Sequence, residues 1–224
     1  MGLFSKSRKT PSPYEPYADQ SINQLYNMLF CDRPDLFSNN LEKPYPYPYS
    51  VLFADMVTAA ELQAIIDDPA TEPRLKLLAC NRQIFIGHKP DRKDLLGVVV
   101  EVALEKGLDV LASFADGTAR YINYTGRVLV WETTTDAGSN AITEQLFANS
   151  IDIINRIGPT DQPRLPFPVK GNARISFLVS DGLYFGEAPI NYLFSDPMAG
   201  PALQSATRLM QYLTEYSTGN NKAG

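Results

Sequence analysis

Between Leu95 and Thr133 the chain turns back on itself three times, and these turns constrain the fold more than any other stretch. Four β-rich runs, Leu95–Leu104, Leu108–Ala115, Thr118–Tyr124 and Arg127–Thr133, are separated by Glu105-Lys106-Gly107, Asp116-Gly117 and Thr125-Gly126. Asp-Gly between such runs is a strong hairpin signal, because the turn needs positive φ and glycine accepts it at no steric cost. The spacing predicts a four-strand antiparallel meander. A later hairpin, Ala173–Ser180 and Leu183–Ile190 around Asp181-Gly182, adds two strands.

Turn length sets register, and register sets which side chains share a face. Two-residue loops at Asp116-Gly117 and Thr125-Gly126, with a three-residue loop at 105–107, pair Glu101 with Leu111, Leu111 with Ile122 and Arg120 with Trp131. One face is then a core face carrying Val98, Val100, Val102, Leu108, Val110, Phe114 and Tyr121. The other carries Leu111, Ile122 and Leu129 in an apolar row, with Glu101, Arg120, Tyr124 and Trp131 beside it. Arg120 opposite Trp131 suits a cation–π contact. An apolar row rimmed by charged and aromatic groups is what a partner-binding surface looks like. The alternative is that the N-terminal part of the chain covers this face itself.

The flanking segments read as helices. Ile22, Leu25, Tyr26, Leu29 and Phe30 form one stripe within Ser21–Cys31. Thr58 and Glu61 make a capping box that opens a short helix ending near Asp67. Further helices run from Pro73 to Ile86, from Asn140 to Ile157 and from about Pro201 to Tyr216. Lys43–Tyr49 alternates Pro and Tyr and reads as a stiff polyproline-like strap presenting Tyr45, Tyr47 and Tyr49. The order α-α-α-β-β-β-β-α-β-β-α, with strands in antiparallel clusters, predicts an α+β fold with helices packed on one face of the sheet. Residues 1–18 read as a flexible arm and 217–224 as a frayed tail. Residues 19–216 form one domain, with a helical part over 19–90 and the sheet and its helices over 91–216. From the Pro73 helix onward, the element order resembles the type III secretion chaperone fold, which implies a chaperone-like binding role by topology alone.

The charge balance weighs against several functions. A net charge of −5 argues against nucleic acid as a partner. No apolar run approaches the ~20 residues that span a bilayer. The basic start lacks the apolar stretch of a secretory signal, and Lys6 breaks a myristoylation pattern, so a cytoplasmic protein is expected. Cys31 and Cys80 fall in apolar helical stretches and are expected to be buried free thiols. No phosphate-binding loop, calcium loop or nucleophile elbow occurs, and the lone His88 follows a helix end, so no metal or cofactor is expected and the pattern weighs against an enzyme.

Two functions remain. The first is a non-enzymatic protein-interaction module, an adaptor or chaperone-like protein, binding a protein partner or a second copy of itself. Its site would be the outer meander face and the strap: Trp131, Arg120, Leu129, Ile122, Leu111, Tyr124, Tyr45, Tyr47 and Tyr49. The alternative is a small-molecule-binding protein or carboxylate-dependent hydrolase with a pocket at the sheet, near Glu101, Arg120, Tyr121 and Glu132.

Overall fold

The computed structural model describes residues 14–38, 41–90 and 92–220. The arm expected before residue 14 and the tail expected beyond residue 220 lie outside them. The elements run α1 (Gln20–Met28), α2 (Pro34–Ser38), α3 (Tyr49–Leu52), α4 (Ala59–Asp67), α5 (Pro73–Phe85), β1 (Leu95–Leu104), β2 (Gly107–Phe114), β3 (Ala119–Ile122), β4 (Val128–Trp131), α6 (Ala137–Ile154), β5 (Asn172–Val179), β6 (Gly182–Pro189), α7 (Ile190–Ser195) and α8 (Ala199–Asn220). Side-chain caps start three of the helices. Asp19 accepts from the Ser21 amide, Asp136 accepts from the Ser139 amide, and Thr58 and Glu61 form the reciprocal box read from their spacing.

The strands make one antiparallel sheet in the order β4-β3-β2-β1-β5-β6. The fold is therefore α+β, with the expected meander joined to the later hairpin through β1. The helices do not keep to one face. Residues from α1, α3, α4 and α5, among them Tyr26, Leu52, Leu62, Ile65 and Leu78, pack on one side against Val99, Val110, Phe114 and Ile122. Residues from α6, α7 and α8, among them Leu146, Ile154, Leu193, Leu203 and Leu209, pack on the other against Val98, Val100, Leu111, Ile175 and Phe177. The central strand explains this. Val98, Val99 and Val100 run consecutively and are 1%, 0% and 5% exposed, so β1 needs cover on both sides.

Every meander register differs by one residue from the spacing-based expectation. Glu101 pairs with Val110, Leu111 with Tyr121, Arg120 with Val130 and Ala119 with Trp131. The reason lies in the turns. The Phe114 carbonyl accepts from Gly117 N, the Phe114 amide donates to Thr118 O, and Gly117 has φ +88°, so Ala115-Asp116-Gly117 is a three-residue loop with glycine in the left-handed region. Tyr124-Thr125-Gly126 repeats the arrangement, with Gly126 at φ +83°. Glu105-Lys106 is the two-residue loop instead, since Leu104 pairs with Gly107. Successive one-residue slips turn β1 and β3 over relative to β2 and β4. In the later hairpin Val179 pairs with Gly182 and Arg174 with Glu187, so the two-residue loop is Ser180-Asp181 rather than Asp181-Gly182.

Two segments differ in local structure. Residues 14–18, read as the end of the arm, pack onto the domain: Tyr17 is 8% exposed and its hydroxyl donates to Leu108 O at 3.0 Å. The Pro-Tyr strap does not stay extended but turns into α3, where Tyr49 stacks on Phe53 and Tyr45 meets the same ring edge-on.

Candidate functional site

The two faces of the sheet are closed in different ways. On the face toward α1, fully buried Glu101 from β1 accepts from the Tyr26 hydroxyl at 2.7 Å and lies 3.6 Å from the Arg174 guanidinium. Arg174 is held more closely by Glu187, at 2.5 Å, and Asn172 bonds the other oxygen of Glu187. The second Glu101 oxygen accepts no hydrogen bond. Burial raises the Glu101 carboxyl above the ordinary range, and Arg174, already engaged with Glu187, opposes this only in part. Arg164 stands over the Phe30 and Tyr26 rings and pairs with Asp32 at 2.8 Å. Most of the interior polar groups here are paired with one another, with Glu101 hydrogen-bonded through only one of its two oxygens.

The opposite face is apolar and incompletely filled. A cleft of about 190 Å³ lies between the sheet and helices α7 and α8. Val100 and Val102 of β1, Leu111 of β2 and Tyr121 of β3 form its floor. Ile190, Phe194, Leu203, Ala206, Thr207 and Met210 form its other walls. Each is placed by element geometry: alternate residues of β1 and β2 point to this face, and Leu203, Ala206, Thr207 and Met210 recur on one side of α8. Asp109 is the one charged side chain in the lining. Its Oδ2 accepts from the Tyr121 hydroxyl at 3.0 Å and its Oδ1 from the Tyr124 amide at 2.6 Å. Its charge is felt nearby, since both the Tyr17 and Tyr121 phenols are pushed up, by burial first and by Asp109 next.

The nine residues expected to form one binding surface are divided by the register. Trp131, Leu129 and Leu111 face α6 and α8. Trp131 is 7% exposed, with its ring edge-on to Tyr216 at 5.0 Å and to Tyr212 at 6.4 Å. Ile122 and Arg120 stand on the opposite face and are buried. Arg120 donates to the carbonyls of Ala119 and Trp131 and pairs with Glu132, so the expected contact with the Trp131 ring does not form. Tyr124 and Tyr47 remain exposed, whereas Tyr45 and Tyr49 pack on Phe53. The chain itself covers the meander on both sides: the N-terminal helices cover Ile122, as the alternative arrangement has it, whereas α6 and α8 cover Leu111, Leu129 and Trp131. Of the nine, Leu111 alone lines the cleft, joined by Tyr121 from the pocket alternative. Glu101 and Glu132, expected beside that pocket, lie elsewhere.

Asp109, Phe194 and Met210 were not singled out by sequence reasoning. Asp109 did carry a signal, as the sole charge within the apolar run Leu108–Phe114. Phe194 and Met210 reach the cleft only through the packing of α7 and α8 on the sheet. Both cysteines are buried and free, and His88 lies in an exposed loop. Among the described residues, no His, Cys, Asp and Glu grouping is arranged to hold a metal ion, and no helix is long and apolar enough to cross a membrane.

No protein-family model matches the chain, and no curated protein matches its sequence.

Proposed function

We propose that this is a small-molecule-binding protein whose ligand enters the cleft between β1–β3 and helices α7 and α8. The supporting observation is the cleft itself, a mainly apolar space of about 190 Å³ between the sheet and two helices. An apolar cavity of ~150 Å³ can hold benzene, so this space suits one ring with a short arm or a branched aliphatic chain. The lining is apolar with few polar groups, the usual composition of a ligand site. Phe194, from the short helix α7, is 37% exposed at the cleft.

The reading stops at binding. A carboxylate-dependent hydrolase needs a second acid–base group beside the first, and Glu101 lies across the sheet from Asp109. Protein interaction through the outer meander face would require α1–α5 or α6–α8 to lift away, exposing side chains such as Ile122 and Trp131, which are 0% and 7% exposed.

A thermal-shift titration with 2-phenylethanol tests the reading. The wild type is expected to melt at a higher temperature as the compound approaches millimolar concentration. Ala206→Leu, which fills the cleft, is expected to fold and to lose the shift. A wild type with no shift, or a variant with the same shift, contradicts a ligand in this cleft.

A further inference from the structure

Asp109 has a place in the cleft that its structural duties do not use up. A carboxylate offers about four acceptor positions. The Tyr121 hydroxyl and the Tyr124 amide occupy two of them, and both donors are neutral. No Lys or Arg forms an ion pair with Asp109 among the described residues. The helical wall brings no cation either: α8 contributes Leu203, Ala206, Thr207 and Met210 to the lining. The contrast within the molecule is sharp. Arg174 and Arg120, the buried cations of the other face, each hold a carboxylate.

Resting on the reading of the cleft as a ligand site, we infer that its ligand is a small organic amine. A protonated ammonium group would sit against Asp109, and an aromatic ring or short alkyl body would lie over Val100, Leu111, Ala206 and Met210. The ammonium would supply the positive charge the site lacks and donate into the free acceptor positions of the carboxylate. The Tyr121 hydroxyl, from a residue that also lines the cleft, donates to Asp109 and ties the carboxylate to the cleft wall. The volume of about 190 Å³ suits one ring with a short arm. Charge sets the sign, since a carboxylate ligand would meet Asp109 with like charge.

The test is calorimetric titration of the intact protein with three compounds of one shape: 2-phenylethylamine, 2-phenylethanol and phenylacetate. The amine is expected to bind about tenfold more tightly than the alcohol, the size of one charge-assisted hydrogen bond in a partly dry site. Phenylacetate is expected to show no binding. In Asp109→Asn, the amine and the alcohol are expected to bind within about twofold of each other. Should that variant misfold, the three-compound comparison in the wild type still decides the matter. Equal affinities of amine and alcohol in the wild type overturn the amine assignment and leave the cleft standing. Absence of binding by both overturns the assignment and the ligand site together.

Discussion

The two faces of the sheet solve one problem by different means. Toward α1–α5, β1 and β5 present Glu101 and Arg174 to the interior, and Tyr26, Glu187 and Asn172 are positioned to satisfy them. Toward α6–α8, the same strands present Val98, Val100, Ile175 and Phe177 to an apolar wall. The first face adds these directional bonds to an apolar core of its own, which includes Tyr26, Leu62, Ile65, Val99 and Phe114. The second is held by non-directional packing, which permits an incompletely filled space where α8 passes over β1 and β2. The cleft therefore lies on the apolar face, although most of the buried charge lies on the other.

The comparison breaks most readily at Arg174. Arg174→Ala leaves two carboxylates without their shared cation and is expected to lower stability by about 3–5 kcal/mol in urea unfolding. A loss below about 1 kcal/mol would mean that ion pairing does not hold this face. On the apolar face, Leu146→Ala deletes a fully buried side chain. It is expected to cost about 2–5 kcal/mol, with the spread set by how far the wall collapses. A smaller effect follows from Tyr26→Phe, which removes the one hydrogen bond that Glu101 accepts. About 1–3 kcal/mol is expected from the same unfolding measurement.

The subtlest effect concerns pH. Burial raises the folded-state pKa of Glu101 above its ordinary 4.5. Such a carboxyl favours the folded state while protonated; its contribution is present below the unfolded value and is lost as pH rises through the folded one. Wild type should therefore lose stability relative to Glu101→Gln as pH rises from 4.5 toward neutrality. Paired urea curves at the two ends of that range measure the difference. A difference that does not change with pH would show that Arg174 keeps Glu101 ionised throughout.

The positions of the strands were legible because their turns were. Leu95–Leu104 and the arms around Asp181-Gly182 lie close to the observed strands, and Thr58 with Glu61 capped the helix they were expected to cap. The faces were not legible, because a glycine in the left-handed region also closes a three-residue loop, so Asp-Gly and Thr-Gly do not fix the loop length. One residue of slip separated Leu111 from Ile122 and Arg120 from Trp131. The run Val98-Val99-Val100 held the missing clue, since a strand without alternation is one buried on both sides. The short helices α2 and α7 are only five and six residues long, too short for the i, i+3, i+4 spacing of Ile190, Leu193 and Phe194 to separate a helix from the strand before it. Asp109 could be read only as an isolated charge in an apolar strand. Its role beside a cleft depends on α8, which is distant in sequence and was known only as a helix of the later half.

The most direct measurement is a two-dimensional amide NMR titration of the intact protein with 2-phenylethylamine. Shifts are expected to concentrate at residues 100–102, 109–111, 121, 190–194 and 203–210, while Arg174, Ser176 and Glu187 stay still. Saturating ligand that leaves the cleft residues unmoved, or moves instead the exposed aromatics Phe85 and Tyr47, would contradict a ligand site between the sheet and α8.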